Sequence, residues 1–272
     1  QLTRAFGLDT LDDMSEKTTP ILIVLLVVAA FAIGSMWTKI QYLQGSVSKE
    51  QGTVTGQQPT APAQPAKPEV KIDQIKALFG DGFIKFGDAS KKILFVEISD
   101  PSCPYCHYAG GKNPELSKSS GRFQYVTDGG TYNPPVPEMK KLVDQGKASF
   151  AWLYSNGHNN GELATQAFYC AYEKNKFWEA HDILMSNKGY EAMNTAKADA
   201  AALSTLLAGV VDKSFMQTCL ESKKYADKIT RDSQVGQTLG FQGTPHFMIN
   251  TTPFGGAVDY KQAMEPAVKP LL

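Results

Sequence analysis

The sequence predicts an α/β domain, a β-sheet flanked by helices, behind one apolar N-terminal segment. Three observations carry this. The runs Ile93-Leu94-Phe95-Val96-Glu97-Ile98-Ser99 and Ala148-Ser149-Phe150-Ala151-Trp152-Leu153-Tyr154 are apolar almost throughout, as strands buried on both faces must be. From Glu162 onward the apolar residues recur at helical spacing instead, with Ala164, Ala167, Phe168 and Ala171 on one face. A further apolar run, Phe247-Met248-Ile249, follows Gly243-Thr244-Pro245, so strand and helix signals alternate along one chain. At 272 residues there is length for one large domain plus appendages. Lysine and arginine number 27, as do aspartate and glutamate, so the basic excess that a nucleic-acid partner demands is missing. No internal repeat is present at solenoid or propeller periods.

Residues 18–38 carry no charge, and Ile21 to Phe31 is an unbroken apolar run. At about 1.5 Å per residue this stretch crosses a bilayer core, with Trp37 at the interface. A retained transmembrane anchor is expected; a cleaved signal peptide ending near Ala30-Phe31-Ala32 is the alternative. Arg4 and Lys17 on one side face Lys39 and Lys49 on the other, so flanking charge does not choose the orientation. Residues 1–17 form a polar segment. Residues 39–69 are rich in Pro, Gln, Ala, Gly and Thr, bury too little apolar surface to order, and read as a tether.

The folded domain is expected over 70–272. Ile72, Ile75, Lys76, Leu78 and Phe79 suggest a short helix ended by Gly80, then an edge strand around 83–86, then the strand Ile93–Ser99. Cys103-Pro104-Tyr105-Cys106 follows that strand directly. Two thiols two residues apart at the start of a helix form a compact redox couple. The unpartnered first-turn amides and the helix dipole favour a thiolate at Cys103, and Pro104 suits the first helical position. Within the strand, Glu97 is a lone carboxyl. Either it reaches water at an edge, or burial raises its pKa and it exchanges a proton with a nearby thiol.

Glu97, six residues before Cys103, and the segment Glu97-Ile98-Ser99-Asp100-Pro101-Ser102-Cys103-Pro104-Tyr105-Cys106 resemble the active-site stretch of membrane-anchored, DsbA-like thiol:disulfide oxidoreductases of the bacterial thioredoxin-fold superfamily. The resemblance covers about residues 70–270. It implies a thioredoxin fold, a central mixed β-sheet flanked by helices, with a helical subdomain inserted at about 161–239. The chain departs from the family after Cys106, where Gly110-Gly111, Asn113-Pro114, Gly129-Gly130 and Pro134-Pro135 argue for a broken helix and an inserted loop at about 110–137. Arg122–Thr127 is expected there as a short strand. The loop is either a solvated excursion, or a cover or recognition element for the active site.

A helix over 137–144 leads to the strand 148–154, and His158 lies in a loop of turn composition. Cys170 and Cys219 fall in predicted helices as either buried free thiols or a pair; the resemblance implies a structural disulfide, and with it an oxidising compartment. Gly240 is a candidate cap for the last helix of the block. Gly243-Thr244-Pro245 is by composition a turn, and by resemblance the cis-proline loop that packs on the cysteine pair, with Thr244 presenting free backbone groups to an extended substrate. Residues 253–257 and a helix over 260–268, disturbed by Pro266, complete the domain.

The expected function is thiol–disulfide exchange outside the cytoplasmic membrane. Cys103 is the attacking and leaving thiol and Cys106 the resolving one, Glu97 moves a proton, and Pro104, Tyr105, Thr244 and Pro245 support the site. The expected partners are unfolded exported proteins with free thiols and, by resemblance, a DsbB-like or VKOR-like membrane reoxidant; no cofactor or metal is called for. An isomerase or reductase would use the same atoms, but residues 39–69 are too polar and short for a dimerisation domain, which favours an oxidase. Three other readings stand beside it. Cys103-Pro104-Tyr105-Cys106-His107 spells a c-type haem attachment signal with His107 as axial ligand, the same residues are a poor zinc set, and the fold can serve as a non-catalytic binding module.

Overall fold

The computed structural model describes residues 69–272. The predicted anchor and nearly all of the tether lie outside the described residues. Among the described residues, no helix is long and apolar enough to cross a membrane.

After helix α1 (Ile72–Ala77), the chain forms β1 (Ile84–Phe86) and β2 (Ile93–Ser99). Helices α2 (Pro104–Gly110), α3 (Pro114–Ser120) and α4 (Pro135–Asp144) separate β2 from β3 (Ala148–Tyr154). Six helices, counted among the described residues, then run from β3 to β4: α5 (Glu162–Glu173), α6 (Phe177–Leu184), α7 (Asn187–Asn194), α8 (Ala200–Leu206), α9 (Lys213–Glu221) and α10 (Ala226–Thr238). Strands β4 (His246–Ile249) and β5 (Thr252–Gly255) complete the sheet, and a π-helical turn (Tyr260–Met264) runs into α11 (Glu265–Val268) where Pro266 stands.

The sheet order is β1-β3-β2-β4-β5. β2 runs parallel to β3 and antiparallel to β4, and the outer pairs are antiparallel, so the sheet is mixed. Strand alternation divides the core. Ile93, Phe95, Phe150, Trp152, Phe247 and Ile249 face a large cluster that includes Cys103, Cys106 and the helices α4 to α9. Leu94, Val96, Ile98, Ala151, Leu153 and Met248 face the other side, which Ile75 and Leu78 of α1 and Leu239 beyond α10 cover. Both faces are therefore dry, which is why β2 and β3 read as continuous apolar runs.

Of two local expectations, the broken helix is present and the short strand is not. The helix after the cysteine motif ends because Gly111 takes φ +70° beneath Pro134 and Pro137, whose rings would lie 2.9 and 2.8 Å from any Cβ there. Residues 122–127 form no strand. A lone bridge joins Tyr125 to Tyr132 and a 3₁₀ turn covers Val126–Asp128, because the segment folds back on itself rather than reaching an edge of the sheet.

Candidate active site

β2 delivers the chain through Asp100-Pro101-Ser102 to the start of α2. Cys103 is the N-cap in extended conformation (φ −78°, ψ 124°) and Pro104 occupies the first turn. The Cys103 N–H donates to the Asp100 carbonyl at 2.9 Å, and the amides of Cys106 and His107 donate to the Cys103 carbonyl at 3.0 and 3.2 Å. Both motif cysteines are free thiols, 1% (Cys103) and 0% (Cys106) exposed. Their environments are unequal. The Cys106 thiol, hydrogen-bonded to Cys103, draws the Cys103 pKa down to about 6, helped by Thr244, by the Cys106 backbone amide at the helix start and by the charge of His158, against the pull of burial. Burial, and then Cys103 itself, pushes Cys106 well above its ordinary value.

The antiparallel pairing of β4 with β2 sets Ile98 opposite His246, which brings the preceding Thr244–Pro245 step beside the helix start. That peptide bond is cis. Cys103 Sγ lies 3.4 Å from the Thr244 carbonyl, a contact spanning 141 residues of sequence. In this dithiol state the Cys103 thiol donates to the carbonyl expected to be free for a substrate.

Asp100 is a residue that sequence reasoning missed. Its fully buried carboxylate accepts hydrogen bonds from the Ser102 amide (2.8 Å) and hydroxyl (2.7 Å) on one oxygen, and from the amides of Gly157 (2.7 Å) and His158 (2.8 Å) on the other. The Asp100 amide donates to Cys106 Sγ at 3.4 Å. One side chain therefore ties the motif loop to the loop after β3. Glycine is required there: a Cβ on Gly161 would stand 1.9 Å from Asp100 Oδ1, and one on Gly157 would stand 2.2 Å from Thr244 Oγ1. The available signal was an acidic residue directly after a fully apolar strand, together with glycines on both sides of the His158 turn.

Glu97 points to the same sheet face as Phe95 and the two thiols, between Trp152 and Phe247 on the neighbouring strands. It is fully buried, neither carboxyl oxygen has a hydrogen-bond partner, and burial raises its pKa to about 8, with the Ser99 side chain pulling the other way. Ser99 also lowers Cys106, so this hydroxyl is felt by both groups. His158 is exposed and holds Asp100 through its backbone. His246 packs edge-on to Phe241, with ring centroids 6.2 Å apart.

His107 is turned away from the role of an axial ligand. It is buried, with Nε2 2.7 Å from the Pro101 carbonyl and Nδ1 2.9 Å from the Met185 carbonyl, and burial holds its pKa down at about 4. A neutral ring donates once only; donation to Pro101 leaves Nδ1 to accept from Asn113 Nδ2 at 3.4 Å. Both nitrogens are spent inside the fold. Among the described residues, no group of three or more His, Cys, Asp or Glu could hold a metal ion.

Tyr105 is half exposed, with its ring edge-on to Tyr108 and to Phe123 from the inserted loop. Cys170 on α5 and Cys219 on α9 are joined by a disulfide, with Cα atoms 6.3 Å apart.

Residues 137–267 match the family described as Thioredoxin; the matched stretch includes Pro245 and begins after Cys106. The chain is 24% identical over 167 residues to the sodium/proton antiporter NhaA 3 of Salinispora tropica, covering 60% of this chain and 21% of that protein. It is 23% identical over 200 residues to a candidate protein-disulfide oxidoreductase of Rickettsia felis, covering 72% of this chain and 63% of that protein. The chain thus spans about a fifth of the first relative and under two thirds of the second. Among solved structures it resembles oxidised BdbD of Bacillus subtilis (TM-score 0.52, 18% identity, 70% of this chain and 92% of that one). It also resembles alpha-DsbA1 of Wolbachia pipientis (TM-score 0.54, 18% identity, 73% and 96%). At these identities the likeness establishes the fold.

Proposed function

We propose that this domain, which has the DsbA-like thioredoxin fold, is a thiol–disulfide oxidoreductase that oxidises exported proteins. The observation that carries the reading is the unequal thiol pair: Cys103 held near pKa 6 beside the Thr244 carbonyl, Cys106 buried and held high. A thiolate stable at neutral pH makes the reduced form the favoured one, so the Cys103–Cys106 disulfide is oxidising.

In the cycle, a substrate thiolate attacks Cys103 Sγ of that disulfide. The new bond joins substrate sulfur to Cys103, and Cys106 leaves as a thiolate that its high pKa at once protonates. A second substrate thiolate then attacks the first substrate sulfur, forming the substrate disulfide and releasing Cys103 as its stabilised thiolate. Two electrons have passed to the pair. Attack by Cys106 on the mixed disulfide is the reverse step. Glu97, neutral below about pH 8 and sharing Ser99 with Cys106, is assigned the proton that Cys106 takes up. A quinone-linked membrane oxidant of DsbB or VKOR type restores the disulfide.

This chemistry calls for an extracytoplasmic location behind the segment 18–38, and the Cys170–Cys219 disulfide suits such an oxidising compartment. Equilibration with glutathione redox buffers tests the direction: the Cys103–Cys106 potential is expected between about −120 and −180 mV, and a value near the roughly −270 mV of thioredoxin would overturn the oxidase assignment. Oxidation of a reduced, unfolded protein should vanish in Cys103→Ser. Equal turnover by parent and variant would reduce the domain to a binding module.

A further inference from the structure

We infer that Asn194, the last residue of α7, is a positioning residue for the reactive thiol. Its side-chain amide fixes the Ser102–Cys103 peptide and so keeps Cys103 in place at the start of α2. The inference rests on the thiol-exchange reading above and names a residue of the helical subdomain that tunes that site.

Three successive backbone carbonyls lie in the turn between β2 and α2, and each takes a donor. The Asp100 carbonyl accepts from the Cys103 amide at 2.9 Å, and the Pro101 carbonyl from His107 Nε2 at 2.7 Å. Both donors belong to the motif and its helix. The third comes from 92 residues away: Asn194 Nδ2 donates to the Ser102 carbonyl at 3.0 Å. Among the described residues no other donor reaches that oxygen. Ser102 is only 1% exposed, so its carbonyl without Asn194 would lose its partner with little water to replace it. The planar Ser102–Cys103 peptide is thus held at both ends, its N–H by Asp100 and its C=O by Asn194. With that plane fixed, Cys103 keeps the extended backbone (φ −78°, ψ 124°) that opens the helix.

The orientation of Asn194 is itself determined. A backbone carbonyl can only accept, so Nδ2 must face Ser102, and Oδ1 is left to accept from Asn160 Nδ2 at 3.2 Å. The relay therefore starts in the loop after β3, crosses the end of α7 and finishes at the motif. Helix α7 is firmly seated: a Cβ on Gly189 would stand 2.1 Å from the Leu184 carbonyl oxygen, and Met193 is buried in the core. Tyr190, one turn before Asn194 on the same face, sets its ring edge-on to His107 with centroids 4.9 Å apart. So α7 backs the Pro101-Ser102 turn twice, through His107 and directly. Asn194 acts on the thiol only through the peptide, by keeping Cys103 against the Cys106 amide and the Thr244 side chain that favour its thiolate.

The test uses the full chain and two uncharged variants. Asn194→Leu removes the donor at similar volume, and Asn160→Ala leaves Asn194 in place but removes the group that orients it. Three measurements are made on each: the pH midpoint of Cys103 alkylation, the equilibrium of the Cys103–Cys106 pair with glutathione, and urea unfolding. Asn194→Leu is expected to raise the alkylation midpoint by about half a unit and to weaken the disulfide as an oxidant of glutathione about threefold, or about 14 mV. Asn160→Ala should move both in the same direction by less. A merely structural Asn194 would lower the urea midpoint and leave the other two readings at the parent values; that result would overturn the inference while leaving thiol exchange standing. Should Asn194→Leu fail to fold, an unmoved alkylation midpoint in Asn160→Ala would overturn it equally. If the parent pair does not equilibrate with glutathione at all, thiol exchange itself fails and the inference falls with it.

Discussion

At Asp100 one buried carboxylate serves four donors from two loops, 57 residues apart at Gly157. Asp100→Asn keeps the shape but turns an NH₂ group toward N–H donors. It is expected to destabilise the domain by about 2–4 kcal/mol, read from urea unfolding. It should also move the pH midpoint of Cys103 alkylation upward from about 6, because the helix start loses its position against the Cys106 amide and the Thr244 side chain, which hold that pKa down. An unchanged midpoint would restrict Asp100 to a structural role. Glu97 carries the opposite kind of charge penalty. Its folded pKa of about 8 exceeds the unfolded carboxyl value, so the folded state binds the extra proton and stability falls as pH rises from about 4.5 to 8. Glu97→Gln should flatten that slope, gaining on the parent by up to a few kcal/mol at pH 8 in denaturant titrations. Parallel pH–stability curves would show an ordinary carboxyl there.

The elements around these residues are set by short-range rules that the sequence displays, up to the point where a distant neighbour takes over. Pro104 and Gly111 mark both ends of α2 in sequence, but the reason for the stop, two proline rings 23 and 26 residues downstream, is tertiary. Residues 122–127 illustrate the failure. Their β-branched and aromatic content suggests a strand, yet Tyr125 pairs with Tyr132 while Phe123 stacks on Tyr108. In the helical block, the disulfide links α5 to α9 across a separation of 49 residues. Replacing Cys170 and Cys219 together by Ala is expected to cost about 4 kcal/mol in urea unfolding through the loosened unfolded chain. The Cys103–Cys106 potential should stay unchanged, because neither Cys170 nor Cys219 is among the groups that set the acidity of the motif thiols. A shifted potential would mean that the bond between α5 and α9 reaches into the redox site.

For the whole molecule, we propose that the apolar segment 18–38 and the tether hold catalysis at a membrane surface. The expected outcome is that the full chain stays with membranes after an alkaline wash and that an impermeant thiol reagent labels Cys103 in intact cells; release by the wash would remove the anchor from this account. The sequence by itself determined what depends on near neighbours: the buried strands from their apolar runs, the helices from their spacing, the thiol pair from its place at a helix start, and the lone acid in β2. Only the tertiary structure decided how residues far apart in the chain share a space. The contact of Cys103 with Thr244, the hold of Asp100 on Gly157 and His158, the closure of His107 between two carbonyls and the packing of Tyr105 on Phe123 all follow from strand register and loop packing. Thiol acidity belongs to both, since the largest pull on Cys103 comes from Cys106 three residues on, while burial and Thr244 are supplied by distant segments.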